Sequence, residues 1–231
     1  MHGVLVLTAS VAAAALQSKA ASDAWWLQRP ICRTEAQLSS LVPLLLRKVE
    51  DTSVDSAGKS AEGRCLPYSL LMQLQRQNNA VVSRERDMRA IDSVRDRVLE
   101  FAIANQDTIW EPKQQYDTLG DVIIAVSELR GWPVARDRAT TVQKWAARIR
   151  NRPRDGCDAA FLFCASAAYG VRIHVHYVAA ESGLLAESIF APPRGAAIPR
   201  PSADVHVGFC DNGDGKGIGN HYVSLPNVWE G

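Results

Sequence analysis

The sequence predicts an α+β protein in which helices come first and a small sheet closes the chain. Apolar residues recur at helical spacing in the first two thirds of the chain, as Leu66, Leu70 and Leu74 do at every fourth position. Towards the end, Val171-Arg-Ile-His-Val-His-Tyr177 alternates strictly between apolar and polar residues, which is typical of a strand with one buried face. We expect the strands of this closing sheet to pair antiparallel.

Residues 1–50 are predicted to form an N-terminal helical extension. The apolar start, over 3–16, is shorter than the ~20 residues that a membrane-spanning helix needs, so no membrane span is expected. Followed by small residues, this start also resembles a signal peptide, although it lacks a positively charged first segment. The expected location is therefore the cytoplasm, or outside the cell as a secreted effector if residues 1–24 are a signal peptide.

The turn-rich stretch over 51–61 is predicted to be a loop or linker that separates the extension from the main domain over 62–231. Within this domain, apolar spacing predicts amphipathic helices at 66–74, 91–104, 119–130 and 157–168. Gly170 would end the last helix, because glycine readily takes the left-handed conformation at a helix C-terminus. Two more short strands are expected at 205–209 and 221–225, joined by a glycine-rich turn.

Composition excludes several classes of protein. Lys and Arg number 26 and Asp and Glu 25, so the net charge of +1 offers no field that would attract nucleic acid. With 47% hydrophobic residues, the chain has enough apolar side chains to fold, unlike a disordered protein. The five cysteines are odd in number and irregularly spaced, so neither a disulfide framework nor a zinc site is expected from them. No cofactor is expected.

Three histidines occupy predicted strands. His174 and His176 lie two residues apart, on one face, which is compatible with metal binding. No further ligand type clusters beside them in the sequence, and His206 alternates with valines in the same way. We therefore interpret all three as part of a half-exposed strand face, and expect no metal site.

The most informative segment is Glu62-Gly-Arg-Cys-Leu-Pro-Tyr-Ser69, which places Cys65 at the first turn of a predicted helix behind a glycine turn. Backbone N–H groups and the helix dipole favour the thiolate at such a position, and the same N–H groups can stabilise an oxyanion. A buried structural cysteine is the alternative interpretation, since cysteine is among the most buried residue types. A thiolate nucleophile needs a base, and His221, on a short strand after a glycine-rich loop, is the candidate.

These residues resemble a known family. The segment over 62–69 is similar to the Asp-Gly-Asn-Cys-Leu-Phe/Tyr block of the ovarian tumour (OTU) domain cysteine proteases, and His221-Tyr-Val-Ser-Leu225 is similar to their closing His-Tyr-Asn/Asp-Ser-Val/Leu block. Two segments between them, 94–101 and 155–175, resemble the helix after the catalytic helix and the helix that leads into a central strand. The resemblance covers about residues 60–226, with the four blocks in the family's order.

The resemblance implies a papain-like OTU fold, in which helices flank a small central sheet. It implies a thiol-dependent deubiquitinase whose partner is ubiquitin or a ubiquitin-like protein. Such an enzyme cleaves the isopeptide bond between this modifier and a lysine. Cys65 would be the nucleophile and His221 the general base, while Glu62, Gly63 and Arg64 would form the oxyanion loop.

The chain departs from the family's pattern two residues after the histidine, where Val223 replaces an acid or amide. Valine cannot accept a hydrogen bond from the imidazole. Glu62, or the acidic turn with Asp211 and Asp214, could supply the third catalytic residue; otherwise a Cys–His dyad acts alone or activity is low or lost. The alternatives to a deubiquitinase are an inactive ubiquitin-binding module and a protease that processes a polyprotein of a virus or mobile element.

Overall fold

The computed structural model describes residues 50, 52–109, 118–153, 157–178, 185–192, 202–210 and 221–225. The predicted extension lies outside these residues except for its last residue, Glu50. The glycine-rich turn, with Asp211 and Asp214, also lies outside them. None of the described helices is both long enough and apolar enough to cross a bilayer.

Five helices lie within the described residues: α1 (Cys65–Arg76), α2 (Met88–Ala104), α3 (Leu119–Leu129), α4 (Arg138–Asn151) and α5 (Ala159–Tyr169). The helices α2 to α5 each begin at a side-chain oxygen that accepts a hydrogen bond from a first-turn N–H group, namely those of Asp87, Thr118, Asp137 and Asp158. Gly170 ends α5 with φ of 63°, as predicted. Four helices thus confirm the sequence analysis, whereas α4 was not predicted.

The sheet contains β1 (Val171–Val178), β2 (Leu185–Phe190), β3 (Ala203–Cys210) and β4 (His221–Ser224), in the order β2-β1-β3-β4. The outer pairs, β1 with β2 and β3 with β4, are antiparallel, but the central pair β1 and β3 is parallel. The expectation of an antiparallel sheet is therefore wrong at its centre. The cause is the unpredicted strand β2, which returns the chain to the starting end of β1, so that β3 runs in the same direction as β1.

One face of the sheet packs against helices and forms the core. Ile173 and Val175 of β1, and Val205 and Val207 of β3, have no exposed surface, and α1 and α5 cover them. The helix α5 is apolar on all sides because it lies between this sheet and the helices α2 and α3. The predicted α+β fold, with a small sheet against helices, is confirmed.

The other face of the sheet carries polar residues in matched rows. The strand register places His174 opposite His206 and His176 opposite Glu187. These neighbours supply the further ligand types that the sequence analysis did not find beside His174 and His176. Burial, together with the neighbouring His206, lowers the pKa of His176 to about 4, so its imidazole is neutral at pH 7.

The predicted loop before α1 is held against the sheet. Thr52 has no exposed surface, and its hydroxyl donates to the carbonyl of Tyr222 in β4. Glu50 pairs with Ser224 through backbone hydrogen bonds of 2.9 and 3.2 Å, and Asp55 is buried. These contacts attach Glu50 and the loop from Thr52 onwards to the domain. The predicted boundaries, 1–50, 51–61 and 62–231, stay predictions.

The Thr52 contact provides a test of whether this loop contributes to folding. Thr52→Val keeps the side-chain shape but removes the hydroxyl, leaving the buried carbonyl of Tyr222 without this donor. We expect the free energy of unfolding to fall by about 1–2 kcal/mol in urea denaturation. The exposed Ser56 of the same loop supplies the matched control, Ser56→Ala, which should change it by less than about 0.5 kcal/mol. Equal stability of Thr52→Val and the wild type would show that the loop is only a linker.

Candidate active site

A tight turn leads into the helix that carries Cys65. Gly63 has φ of 73°, in the left-handed region that glycine adopts without steric cost. The N–H group of Arg64 donates to the carbonyl of Ala61 at 2.8 Å, and α1 then begins at Cys65, whose side chain is partly exposed. The predicted position of Cys65, at the first turn of a helix behind a glycine, is confirmed.

The first turn of α1 differs from those of the other helices. Its N-cap residue is Arg64, whose guanidinium binds the carboxylate of Asp92 at 2.7 Å instead of capping the helix. Asp92 also binds Arg95 at 2.8 Å, so the turn before Cys65 is tied to α2. First-turn N–H groups have no acceptor within their own helix and carry the positive end of its dipole. This end of α1 can therefore stabilise a negative charge next to the thiol.

The contacts between α1 and β4 place Cys65 near the beginning of β4. Gln73 Nε2 donates to Ser224 Oγ at 2.8 Å, which joins the second half of the helix to the end of the strand. Cys65 lies about 12 Å back along the helix axis, and His221 about 10 Å back along the strand. Cys65 interacts electrostatically with Tyr222, the second residue of β4, so the start of the helix lies near the start of the strand.

The faces of β4 decide how the imidazole can approach the thiol. Tyr222 lies opposite Phe209 on the face that meets α1, with ring centroids 4.8 Å apart, and Ser224 shares that face. His221 and Val223 alternate to the other face. His221 is the first residue of β4, so its backbone lies at the same end of the sheet as Tyr222 and Cys65, while its side chain starts from the other face.

Cys157 and Tyr222 lie close enough to the Cys65 thiol to interact with it electrostatically, and Asp158 lies beside Cys157. Burial raises the pKa of the Cys157 thiol well above its ordinary value, and the adjacent charges of Cys65 and Asp158 raise it further. Burial also raises the pKa of the Tyr222 hydroxyl, with Cys65 and Cys157 as the next causes. Asp158 itself is buried, and it accepts hydrogen bonds of 3.0 Å from Trp145 Nε1 and from the N–H group of Phe161 in the first turn of α5. Cys65 thus lies close to two groups that remain protonated at neutral pH.

Of the candidates for a third catalytic residue, Glu62 lies among the residues that the structure describes. Glu62 is exposed in the turn that precedes Cys65, and its N–H group donates to Ser60 Oγ at 3.3 Å. Val223 is fully buried and lies opposite Gly208. The candidates Asp211 and Asp214 lie outside the described residues.

Sequence reasoning missed Tyr222 and Cys157 as neighbours of the thiol, and Asp158 as a neighbour of Cys157. Tyr222 lies within the closing block of the sequence, and Asp158 precedes an alanine-rich helix as a typical N-cap. The sequence therefore shows the local motif in which each of these two residues stands. The proximity of Tyr222 and Cys157 to Cys65 depends on how β4 and α5 pack around α1, which local patterns do not encode.

Comparisons with known proteins give a limited result. No protein-family model matches the chain, and no curated protein matches it in sequence. Among solved structures, the chain is similar to the OTU domain of OTUD1, with 12% sequence identity and a TM-score of 0.39, over 71% of this chain and 80% of that chain. That structure belongs to the family whose sequence blocks this chain resembles. A TM-score of this size gives the likeness no weight for function, so the case for function comes from this chain's own residues.

The surroundings of the cysteines predict an order of alkylation. At neutral pH, iodoacetamide should modify Cys65 well before Cys157 and Cys164, because burial raises the pKa of both of the latter thiols and thiolates are the reactive form. Cys164 also has no exposed surface. Mass spectrometry of the digested protein over time measures this order. Modification of Cys157 as early as Cys65 would contradict the description of the site.

Proposed function

We propose that this chain is an OTU-like cysteine hydrolase that removes ubiquitin, or a ubiquitin-like modifier, from lysine by cleaving the isopeptide bond. The observation that carries this proposal is the placement of Cys65, a partly exposed thiol at the first residue of α1 behind the left-handed Gly63. The strand that begins with His221 packs against the same helix. We further propose that the protein acts in the cytoplasm.

In the proposed reaction, His221 takes the proton of the Cys65 thiol, and the resulting thiolate attacks the carbonyl carbon at the modifier's C-terminal glycine. The carbonyl oxygen becomes an oxyanion, which the first-turn N–H groups of α1 stabilise. His221 then protonates the lysine amine as its bond to the carbonyl carbon breaks, leaving a thioester on Cys65. Finally, His221 takes a proton from water, the resulting hydroxide attacks the thioester, and the carboxylate and the thiolate are released.

Two features of the turn suit it to this role. Gly63 allows the backbone to reverse just before the helix, so that N–H groups face the substrate side of the thiol. The ion pairs from Arg64 and Arg95 to Asp92 hold the turn in one position on α2. A fixed set of donors stabilises an oxyanion better than a mobile one, because it needs no rearrangement as the charge develops.

A ubiquitin-binding module without turnover is the second candidate. It is favoured by Val223, a buried residue without hydrogen-bonding atoms at the position where the family's pattern has an acid or amide. Valine gives the imidazole no hydrogen bond from the position that shares its strand face, so this position cannot fix the tautomer or the orientation of the ring. The two candidates differ in whether Cys65 reacts.

A ubiquitin derivative with a C-terminal electrophile separates the candidates. We expect the wild-type chain to form a covalent adduct and Cys65→Ala to form none. Cys157→Ala is the matched control, because Cys157 is a neighbouring thiol that the mechanism does not use. His221→Ala should lower cleavage of di-ubiquitin by about 100-fold or more, which is the range lost with a positioned base.

Each result has a defined meaning for this proposal. Binding of ubiquitin without adduct formation would support the inactive module. Labelling that persists in Cys65→Ala, or is lost in Cys157→Ala, would contradict the assignment of the nucleophile. Unfolding curves of each variant exclude loss of structure as the cause.

The third catalytic residue can be tested with a pair of substitutions. Glu62→Ala should lower cleavage of di-ubiquitin, because Glu62 is our candidate partner of His221. Val223→Asn should raise the rate by roughly tenfold or less, since orientation is only part of what a positioned base contributes, and the Glu62 change should then matter less. Glu85→Ala, at another exposed loop carboxylate, is the matched control. Additive effects would show that Glu62 and position 223 do not share the task of orienting His221.

A further inference from the structure

The outer face of the sheet holds a cluster of groups that the proposed function does not use. The chain has five histidines, and three of them, His174, His176 and His206, meet on this face. The ring of His206 stacks on both of the others, with centroids 4.6 Å from His174 and 5.3 Å from His176. Glu187 of β2 completes the cluster, with its Oε1 atom 2.8 Å from His174 Nδ1.

We propose that His174, His206 and Glu187 bind a zinc ion on the outer face of the sheet. One ligand atom from each of the three residues lies within 4.8 Å of the other two. In a tetrahedral zinc site, with bonds of about 2.0–2.2 Å, neighbouring ligand atoms are roughly 3.3 Å apart. Side-chain movements of about 1 Å would therefore bring the three atoms to bonding distance.

The surrounding groups match what a bound zinc ion requires of its environment. Asp204 Oδ1 lies 3.3 Å from His174 Nε2, the ring nitrogen opposite the one that faces Glu187. Arg172 in turn holds both oxygens of Asp204, at 2.6 and 2.9 Å. This nitrogen is buried without a hydrogen bond of good geometry, and Asp204 is the nearby carboxylate that can accept from it, as carboxylates commonly do from the second ring nitrogen of a metal-binding histidine. On the other side, His206 Nδ1 and His176 Nε2 are 3.0 Å apart.

The kinds of ligand select the metal. Two imidazoles with one carboxylate suit zinc, whereas magnesium and calcium prefer oxygen ligands. Glu187 is 39% exposed, so solvent can reach the cluster, and a water molecule can occupy the fourth position. The site would join β1, β2 and β3 through side chains, in addition to their backbone hydrogen bonds.

The test measures zinc binding to the full-length chain without a histidine tag. The parent protein carries Cys65→Ala, so that a thiolate at the candidate active site cannot bind the metal. Calorimetric titration should show one zinc ion per chain. His174→Gln, His206→Gln and Glu187→Gln should each weaken binding by at least about tenfold, since even outer groups contribute 10–100-fold to metal affinity. Asp204→Asn should weaken it within that range.

His221→Gln is the matched control, because it makes the same change in a histidine outside the cluster. It should leave the affinity for zinc unchanged. Cobalt bound in place of zinc should give the visible spectrum of a nitrogen and oxygen site, without the intense absorption of a thiolate ligand. The melting temperature of each variant without metal shows whether it has folded. We expect Glu187→Gln to fold as the parent does, because the change is nearly isosteric and the side chain is partly exposed.

Three results would overturn the proposal. The first is that the parent binds no stoichiometric zinc. The second is that folded Glu187→Gln binds zinc as tightly as the parent does. The third is that only His221→Gln loses zinc binding. The proposed hydrolase does not depend on these results, because the zinc test uses a chain without Cys65. Failure of either proposal therefore leaves the other standing.

Discussion

The position of Ser224 sets the alignment of helix α1 on strand β4, and the candidate active site depends on it. Its hydroxyl meets Gln73 and Arg76 of the helix, and it donates to the carboxylate of Glu50 at 3.1 Å. Apolar contacts alone would let the helix slide along the strand, because they have no direction, whereas hydrogen bonds between largely buried groups hold one position. Because one end of the helix is held, the position of Cys65 at its other end is fixed along the direction of β4.

How far the sequence predicts this fold varies between elements. The helix α1 was predicted because leucines repeat at every fourth position and a glycine turn precedes it. The helix α4 was missed, although Val142, Trp145 and Ile149 have helical spacing, because arginines, threonines and other polar residues dominate the segment. Strand β2 was missed because its residues do not alternate cleanly between apolar and polar. That single omission reversed the expected pairing of β1 with β3, so an error in one edge strand changed the topology at the centre.

The candidate sites divide in the same way. Cys65 could be located from the sequence, since the chemistry of a glycine turn and a helix start is local. The proximity of Cys157 and Tyr222 to its thiol could not, because it depends on the packing of elements far apart in the chain. The histidine cluster shows the limit most clearly. His174 and His206 are adjacent only because β1 and β3 pair in parallel with this register. The residue pattern of each strand specifies neither its partner nor its register.

The alternation of side chains along each strand explains why one small sheet can support two separate kinds of chemistry. On β3, Val207 and Phe209 face the helices, while His206 faces the other way. Cys65 lies on a helix that covers the opposite face, so the sheet backbone would separate its thiol from a metal ion held by the proposed imidazoles, whereas His221 shares the outer face with them. The cluster also needs the central strands, because β1 has a partner on both sides and can place His174 next to β2 and β3 at once. An edge strand, with one neighbour, could bring together only two strands' side chains.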